Sequence, residues 1–222
     1  MDRKLSFSEV IGAALALMAS DLPVVLGTIA AIAAASTFLD VASATLSNIL
    51  AIPVLVAQYF LIRRLVERQG LQLADRLGGF GSFFILGIIT SLGIALGFIL
   101  LILPGIYLSA RWSMASAALI AENQGSSRAM ARSWDASRDH VLPIALTWAL
   151  IVLPLIAGML ALGGVGAMTE RSAGGMQVAI VAWDAISNLL IYASQVAGWY
   201  FGVALYQLLA APAETRLDEV FA

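Results

Sequence analysis

The run from Phe80 to Leu103 contains no charged residue, and it is longer than the roughly 20 apolar residues a helix needs to cross the hydrocarbon core of a bilayer. Within lipid a backbone has to satisfy its own polar groups, which a helix does. Composition agrees. Of the 222 residues, 61% are hydrophobic and 12% charged, against about half and a quarter in an ordinary soluble domain. The expected fold is all-α: a polytopic membrane helical bundle, one integral membrane domain over residues 1–222. With no cysteine and a single histidine, His140, disulfides, thiolate or His-rich metal sites and a cysteine nucleophile are excluded. No cofactor is expected.

Six transmembrane helices are expected. Leu22 to about Val41 is the first, and Ser43 to Asn48 turns the chain into a second, from about Ile49 to Ile62. Arg63, Arg64, Arg68 and Arg76 follow, which puts that end in the cytoplasm by the positive-inside bias, together with Arg3 and Lys4, and leaves Asp40 outside. Phe80 to Leu103 returns outward and ends at Pro104-Gly105. Ile106 to Ala121 is short for a span. If it crosses, Arg128, Arg132 and Arg138 are cytoplasmic; if it is re-entrant they are outside, against the bias, so crossing is adopted. Val141 to Leu162 is the fifth span, kinked at Pro154. Met176 to Ala210 is longer than a bilayer requires and should tilt or protrude. Pro212 ends it, and a polar tail from Ala213 to Ala222 leaves both termini inside.

Two interfacial amphipathic helices complete the reading. Ser6 to Ala19 has Ser6 or Ser8 as cap, Glu9 in its first turn, and Phe7, Val10, Ile11, Ala14, Leu15 and Met18 on one face; the other reading is an extension of the first span. Glu9, Leu17 and the apolar sequence beyond Pro23 argue against a cleaved signal peptide, so the N-terminus is read as retained. Ser126 to Asp139 turns Met130, Trp134, Ser137 and Val141 towards the membrane and Arg128, Arg132, Asp135 and Arg138 towards water and headgroups. Each amphipathic helix is followed by an Asp and a Pro-initiated span, a weak parallel repeat over 6–66 and 126–210. The glycine-rich loop Gly163 to Gly175 lacks the strand context and lysine of a phosphate loop.

Polar residues inside apolar helices are the candidates for function. Asp184, Asn188, Tyr192 or Ile191, Gln195, Trp199, Gly202 and Tyr206 share a face of the last span, as an interhelical hydrogen-bond seam or as a substrate or ion path. Counting residues from the outer ends puts Asp184 and Arg111 at similar depth, about 12 and 9 Å in, so the two are expected to pair. Arg111, Asp184, Asn188 and Gln195 form the expected intramembrane polar cluster. Arg128, Arg132, Trp134 and Arg138 are the expected headgroup or partner contacts. Gly93-x-x-x-Gly97 and Gly198-x-x-x-Gly202 allow close helix approach. No nucleophile–base set or metal-ligand spacing emerges, so an enzyme is not expected.

Pro104-Gly105, Arg111-Trp112, Glu122, Ala129 and Arg132-Ser133-Trp134, with Leu5 to Glu9 and Tyr206, resemble the membrane-domain family fused to some glycerophosphoryl diester phosphodiesterases and related to the YciC-like bacterial inner-membrane proteins. The resemblance implies a helical, multi-spanning membrane module without the phosphodiesterase's separate catalytic barrel. The expected function is that of a non-catalytic accessory or scaffold component of the bacterial inner membrane. It would bind membrane lipids, other integral membrane proteins or a second copy of itself, and no nucleic acid. The alternative is a small transporter or lipid-handling protein with a polar site near Arg111 and Asp184.

Overall fold

A computed structural model describes residues 5–42, 50–153, 156 and 176–210. Arg3, Lys4, the turn at 43–48, Pro154, the loop at 163–175, Pro212 and the tail lie outside the described residues. In chain order the helices are α1 (Phe7–Ser20), α2 (Leu22–Ala42), α3 (Ala51–Arg68), α4 (Phe80–Leu100), α5 (Ile102–Trp112), α6 (Ala115–Glu122), α7 (Ser126–Ala136), α8 (Arg138–Leu153, opening with a 3-10 turn) and α9 (Met176–Leu209).

Six spans are not what these helices provide. Three are long and apolar enough to cross a membrane, within Leu22–Asp40, Phe80–Leu100 and Val181–Leu209, or four if α7 and α8, bent by 52°, count as one. The reasons are local. The apolar part of α3, residues 51–62, is about 18 Å long before Arg63, Arg64, Glu67 and Arg68 occupy its last turns. The expected fourth span is broken at Ser113-Met114 into α5 and α6, of 11 and 8 residues.

α6 is the centre of the bundle. Ala115 and every residue from Ala117 to Ala121 are fully buried, with α3, α4, α7 and α9 packed around them. Four alanines in that stretch let the surrounding backbones come close. The last carbonyls of α6, which have no partner within the helix, are taken by the strap joining α3 to α4: Ile120 O accepts from Gly78 N at 2.9 Å, and Ala121 O from Leu73 N at 2.9 Å. Gly78 is required there, since an added Cβ would overlap the Leu119 carbonyl. Asn123 ends α6 in the left-handed region at φ 47, which asparagine tolerates better than most residues.

Of the expected close approaches, Gly97 lies on Gly105 where α5 folds back along α4, Gly93 accommodates the Trp112 ring, and Gly202 faces the Ser113 carbonyl; Gly198 has nothing within 4 Å of an added Cβ. The reversal itself is at Leu101, in extended geometry (φ -166, ψ 149), three residues before the expected Pro104. Pro104 then sits in the first turn of α5, where its missing N–H costs nothing.

α1 opens with a capping box: Ser6 Oγ accepts from Glu9 N and Glu9 Oε2 from Ser6 N. Its buried stripe is Val10, Ala14 and Leu17, continuing to Asp21, whereas the expected Phe7 and Leu15 are exposed. That stripe packs along α9, so protein rather than headgroups covers it. Likewise α7 buries Ala129 and Ser133, and Ser137 beyond its end: its inward face is a row of small residues, and Ser137 is not turned to the membrane. α2 runs antiparallel to α9, with Asp21 beside Tyr200 and Asp40 beside Asn188.

Candidate functional site

Asp21, the single residue between α1 and α2, is 4% exposed. A bare buried carboxylate would cost several kcal/mol. Here it accepts four hydrogen bonds: Arg64 Nη1 at 2.6 Å and Nη2 at 3.0 Å, Arg68 Nη1 at 2.6 Å, and Tyr200 Oη at 2.9 Å. Arg64 and Arg68 lie one turn apart on α3, so both reach the same carboxylate. Burial pushes the Asp21 carboxyl up, but the Arg64 and Tyr200 hydrogen bonds and the charges of Arg64 and Arg68 outweigh it and hold the group below its ordinary value of 3.8. The two arginine side chains are 40% and 52% exposed, so their own contribution is screened by water. The node ties the α1–α2 junction, α3 and α9 together.

A second node repeats the chemistry. Glu122 accepts from Arg132 Nε at 3.1 Å and Tyr206 Oη at 3.0 Å through Oε1, and from Gln124 Nε2 at 3.0 Å through Oε2; Arg132 Nη2 also donates to the Ala210 carbonyl at 3.1 Å. Arg132 is therefore committed to an internal junction of α6, α7 and α9.

Arg111 stands apart from both. It is 2% exposed, and its Nε and Nη1 are enclosed with no hydrogen-bond partner. Its Cζ lies 4.2 Å from the centroid of the Trp134 ring and 5.8 Å from that of Tyr107, and these two rings meet edge to face at 83°. A desolvated cation–π contact is worth about 2 kcal/mol, while each unmade hydrogen bond of a buried group costs about 1–3 kcal/mol. The aromatic box holds the charge without satisfying its N–H groups. The Arg111 backbone has a different role: its carbonyl accepts from Ser133 Oγ at 2.7 Å and Ser137 Oγ at 3.4 Å, docking α7 onto α5.

The expected pairing of Arg111 with Asp184 is not formed. α5 packs on α4 and α7, which turns Arg111 to Trp134, whereas Asp184 on α9 lies within electrostatic reach of Asp40 on α2. Matching depths by residue count assumed two full spans, and α5 stops at Trp112. Asn188 joins Asp40 and not Arg111: its Nδ2 donates to Asp40 Oδ2 at 2.9 Å and Thr37 Oγ1 at 3.1 Å. Gln195 is exposed and outside the cluster. Tyr192 hydrogen-bonds Ser36 at 3.2 Å, so much of the α9 polar face consists of cross-helix bonds. Among the expected headgroup contacts, Arg128 and Arg138 are exposed, while Arg132 and Trp134 are engaged inside. His140 Nδ1 accepts from Leu5 N at 3.3 Å.

Sequence reasoning treated Asp21 only as the acid preceding a Pro-initiated span and gave Tyr200 no role. The available signal was an acid in a junction with arginines at i, i+4 elsewhere. Seven residues of the family resemblance meet in two contact sets: Arg111, Trp112, Ser133 and Trp134 in one, and Glu122, Arg132 and Tyr206 in the other. Compared with family models, with curated proteins and with solved structures, the chain matches none.

Proposed function

We propose that the chain is a non-catalytic integral membrane protein of the bacterial inner membrane, with both termini in the cytoplasm, acting as an accessory or scaffold component that binds lipid or partner membrane proteins, itself included. The supporting observation is where its polar groups go. The buried Asp21 and the half-buried Glu122 are bonded to donors of the same chain, and the groove beside the α9 polar face, about 580 Å3 between α2 and α9, is walled by Ala30, Ala33, Ala34, Phe38, Ala185 and Leu189 with Thr37 and Val181. Thr37 is already bonded, donating to the Ala33 carbonyl. Apolar side chains cover the outside, as on Leu92, Leu96, Ile99, Leu100 and Leu103, which is the surface a lipid phase or a partner's spanning helix fits. The likeness to the phosphodiesterase-associated membrane module points the same way.

One observation favours the alternative, a small transporter or lipid-handling protein: Asp184 on α9, half-buried, lies within electrostatic reach of the half-buried Asp40 on α2, and intramembrane acids often mark ion paths. Proteoliposomes decide between them. On the scaffold reading Asp184→Asn leaves solute and proton flux at the level of empty vesicles plus wild type, and mild-detergent extraction recovers the chain with bound lipid or a stoichiometric partner. Flux that wild type supports and Asp184→Asn abolishes overturns it. Release of the protein from membranes by carbonate would remove the membrane assignment altogether.

A further inference from the structure

The described acids leave Arg111 without a counter-charge. Asp21 is shared by Arg64 and Arg68, Glu122 is held by Arg132, Glu67 pairs with Arg63, Asp40 accepts from Asn188, and Asp184 lies on α9 within electrostatic reach of Asp40. Asp135 and Asp139 on the neighbouring α7–α8 segment are exposed. None of the nearby hydroxyls accepts from Nε or Nη1; each donates to a carbonyl, Ser109 to Gly105, Ser113 to Ala110, Ser133 to Arg111, and Ser137 to Ser133 at 2.7 Å with Arg111 at 3.4 Å. A guanidinium carries five N–H donors in a planar fork and cannot lose its proton. Its Nε and Nη1 are enclosed and unmet, so the described residues build a donor site and supply no acceptor.

We propose that Arg111 is the binding site for the phosphodiester of an anionic membrane phospholipid, a deepening that rests on the lipid-binding reading above. The guanidinium fork matches two phosphate oxygens, and one buried positive charge is neutralised by one phosphodiester. Trp134 backs the guanidinium at 4.2 Å and is the fixed wall. Tyr107 is the outer wall: it packs on both Arg111 and Trp134 yet is 43% exposed, so a rotation of this one side chain opens the guanidinium outward. One turn before it on α5, Leu103 is exposed, an apolar surface against which an acyl chain lies. Tyrosine and tryptophan beside a headgroup are where membrane proteins concentrate them. A free inorganic phosphate shares the fork but gains nothing from the leucine.

The test uses the full chain purified in detergent, titrated with phosphatidylglycerol and, separately, with inorganic phosphate, with thermal melting as readout. Phosphatidylglycerol raises the wild-type melting temperature; Arg111→Met removes that rise and binds the lipid at least tenfold more weakly, while Arg76→Met, at an exposed arginine outside the headgroup-contact set, keeps it. In lipid-free detergent Arg111→Met melts no lower than wild type, because an unsatisfied charge has been replaced by an apolar chain of similar length; a purely structural arginine would make that variant melt lower. Arg111→Lys, which keeps the charge and loses the fork, gives an intermediate lipid response. If Arg111→Met does not fold, the 15N resonance of Arg111 Nε, assigned by its loss in Arg111→Lys, carries the test, shifting with phosphatidylglycerol in the wild type. A lipid response unchanged in Arg111→Lys and an unmoved Nε resonance overturn the proposal, and an Arg111-dependent response to inorganic phosphate as strong as that to lipid overturns the lipid source. A chain that resists carbonate extraction but gives either result leaves the membrane reading standing and removes only this site.

Discussion

Asp21 and Arg111 are both buried charges, at 4% and 2% exposure, and the protein treats them in opposite ways. Asp21 takes four donors from three side chains; Arg111 takes none and leans on two aromatic rings. The difference follows from position. Asp21 sits at a helix junction where α3 and α9 converge, whereas Arg111 sits at the end of α5 against the small-residue face of α7, which has only hydroxyls to offer. A buried ion with a complete set of partners fixes a fold, and one without them is poised for a ligand.

The largest effect should come from stripping Asp21 of its cations. Arg64→Met with Arg68→Met leaves a carboxylate buried beside Tyr200 alone, and the loss should reach about 3–5 kcal/mol, read as a fall in denaturation midpoint in detergent. Asp21→Asn should cost less, about 1–3 kcal/mol, because the arginines it abandons are already half in water. Equal losses from the two changes would mean that Asp21 is not the member that burial endangers.

The same carboxylate sets a pH response. Its folded pKa lies below the ordinary 3.8, so its stabilisation is complete above the unfolded value and is lost as pH falls through the folded one. Melting in detergent should therefore drop as the medium is acidified below about pH 4, and Asp21→Asn should remove that part of the drop. A variant whose acid profile parallels wild type would place the titration elsewhere.

Tyr200→Phe and Tyr206→Phe each delete one hydrogen bond to a carboxylate, at Asp21 and Glu122. Since Asp21 keeps three other donors, Tyr200→Phe should cost about 1–2 kcal/mol, and Tyr206→Phe about the same. Chemical denaturation of the two variants side by side compares the nodes directly.

What could be read from the sequence follows the range of the interaction. Helix content, the charge-free α4 and the Ser6–Glu9 cap are local, and they were legible. So was the presence of helices long and apolar enough to cross a membrane. The count of spans was not, because hydropathy cannot distinguish a run such as Ala115 to Ala121, buried by other helices, from one buried by lipid. The pairing of Arg111 failed for a related reason: depth along a helix says nothing of which face a side chain leaves from. Ser133 and Ser137, with Ala129, had the i, i+4, i+8 spacing of a close helix contact, but their target is a backbone carbonyl, which no side-chain pattern announces.

The smallest effect separates the two buried charges most cleanly. In a double-mutant cycle Arg64→Met with Asp21→Asn should show strong coupling, because each single change leaves the other ion with lost partners. Arg111→Met with Trp134→Phe should show a coupling of only about 0.5–2 kcal/mol, the worth of a cation on an indole face beyond that on a phenyl. Phenylalanine keeps a π face and most of the volume, so Trp134→Phe alone should leave the fold intact. A coupling at Arg111 as large as that at Asp21 would mean the aromatic box already acts as a full counter-charge, and no anion would then be needed.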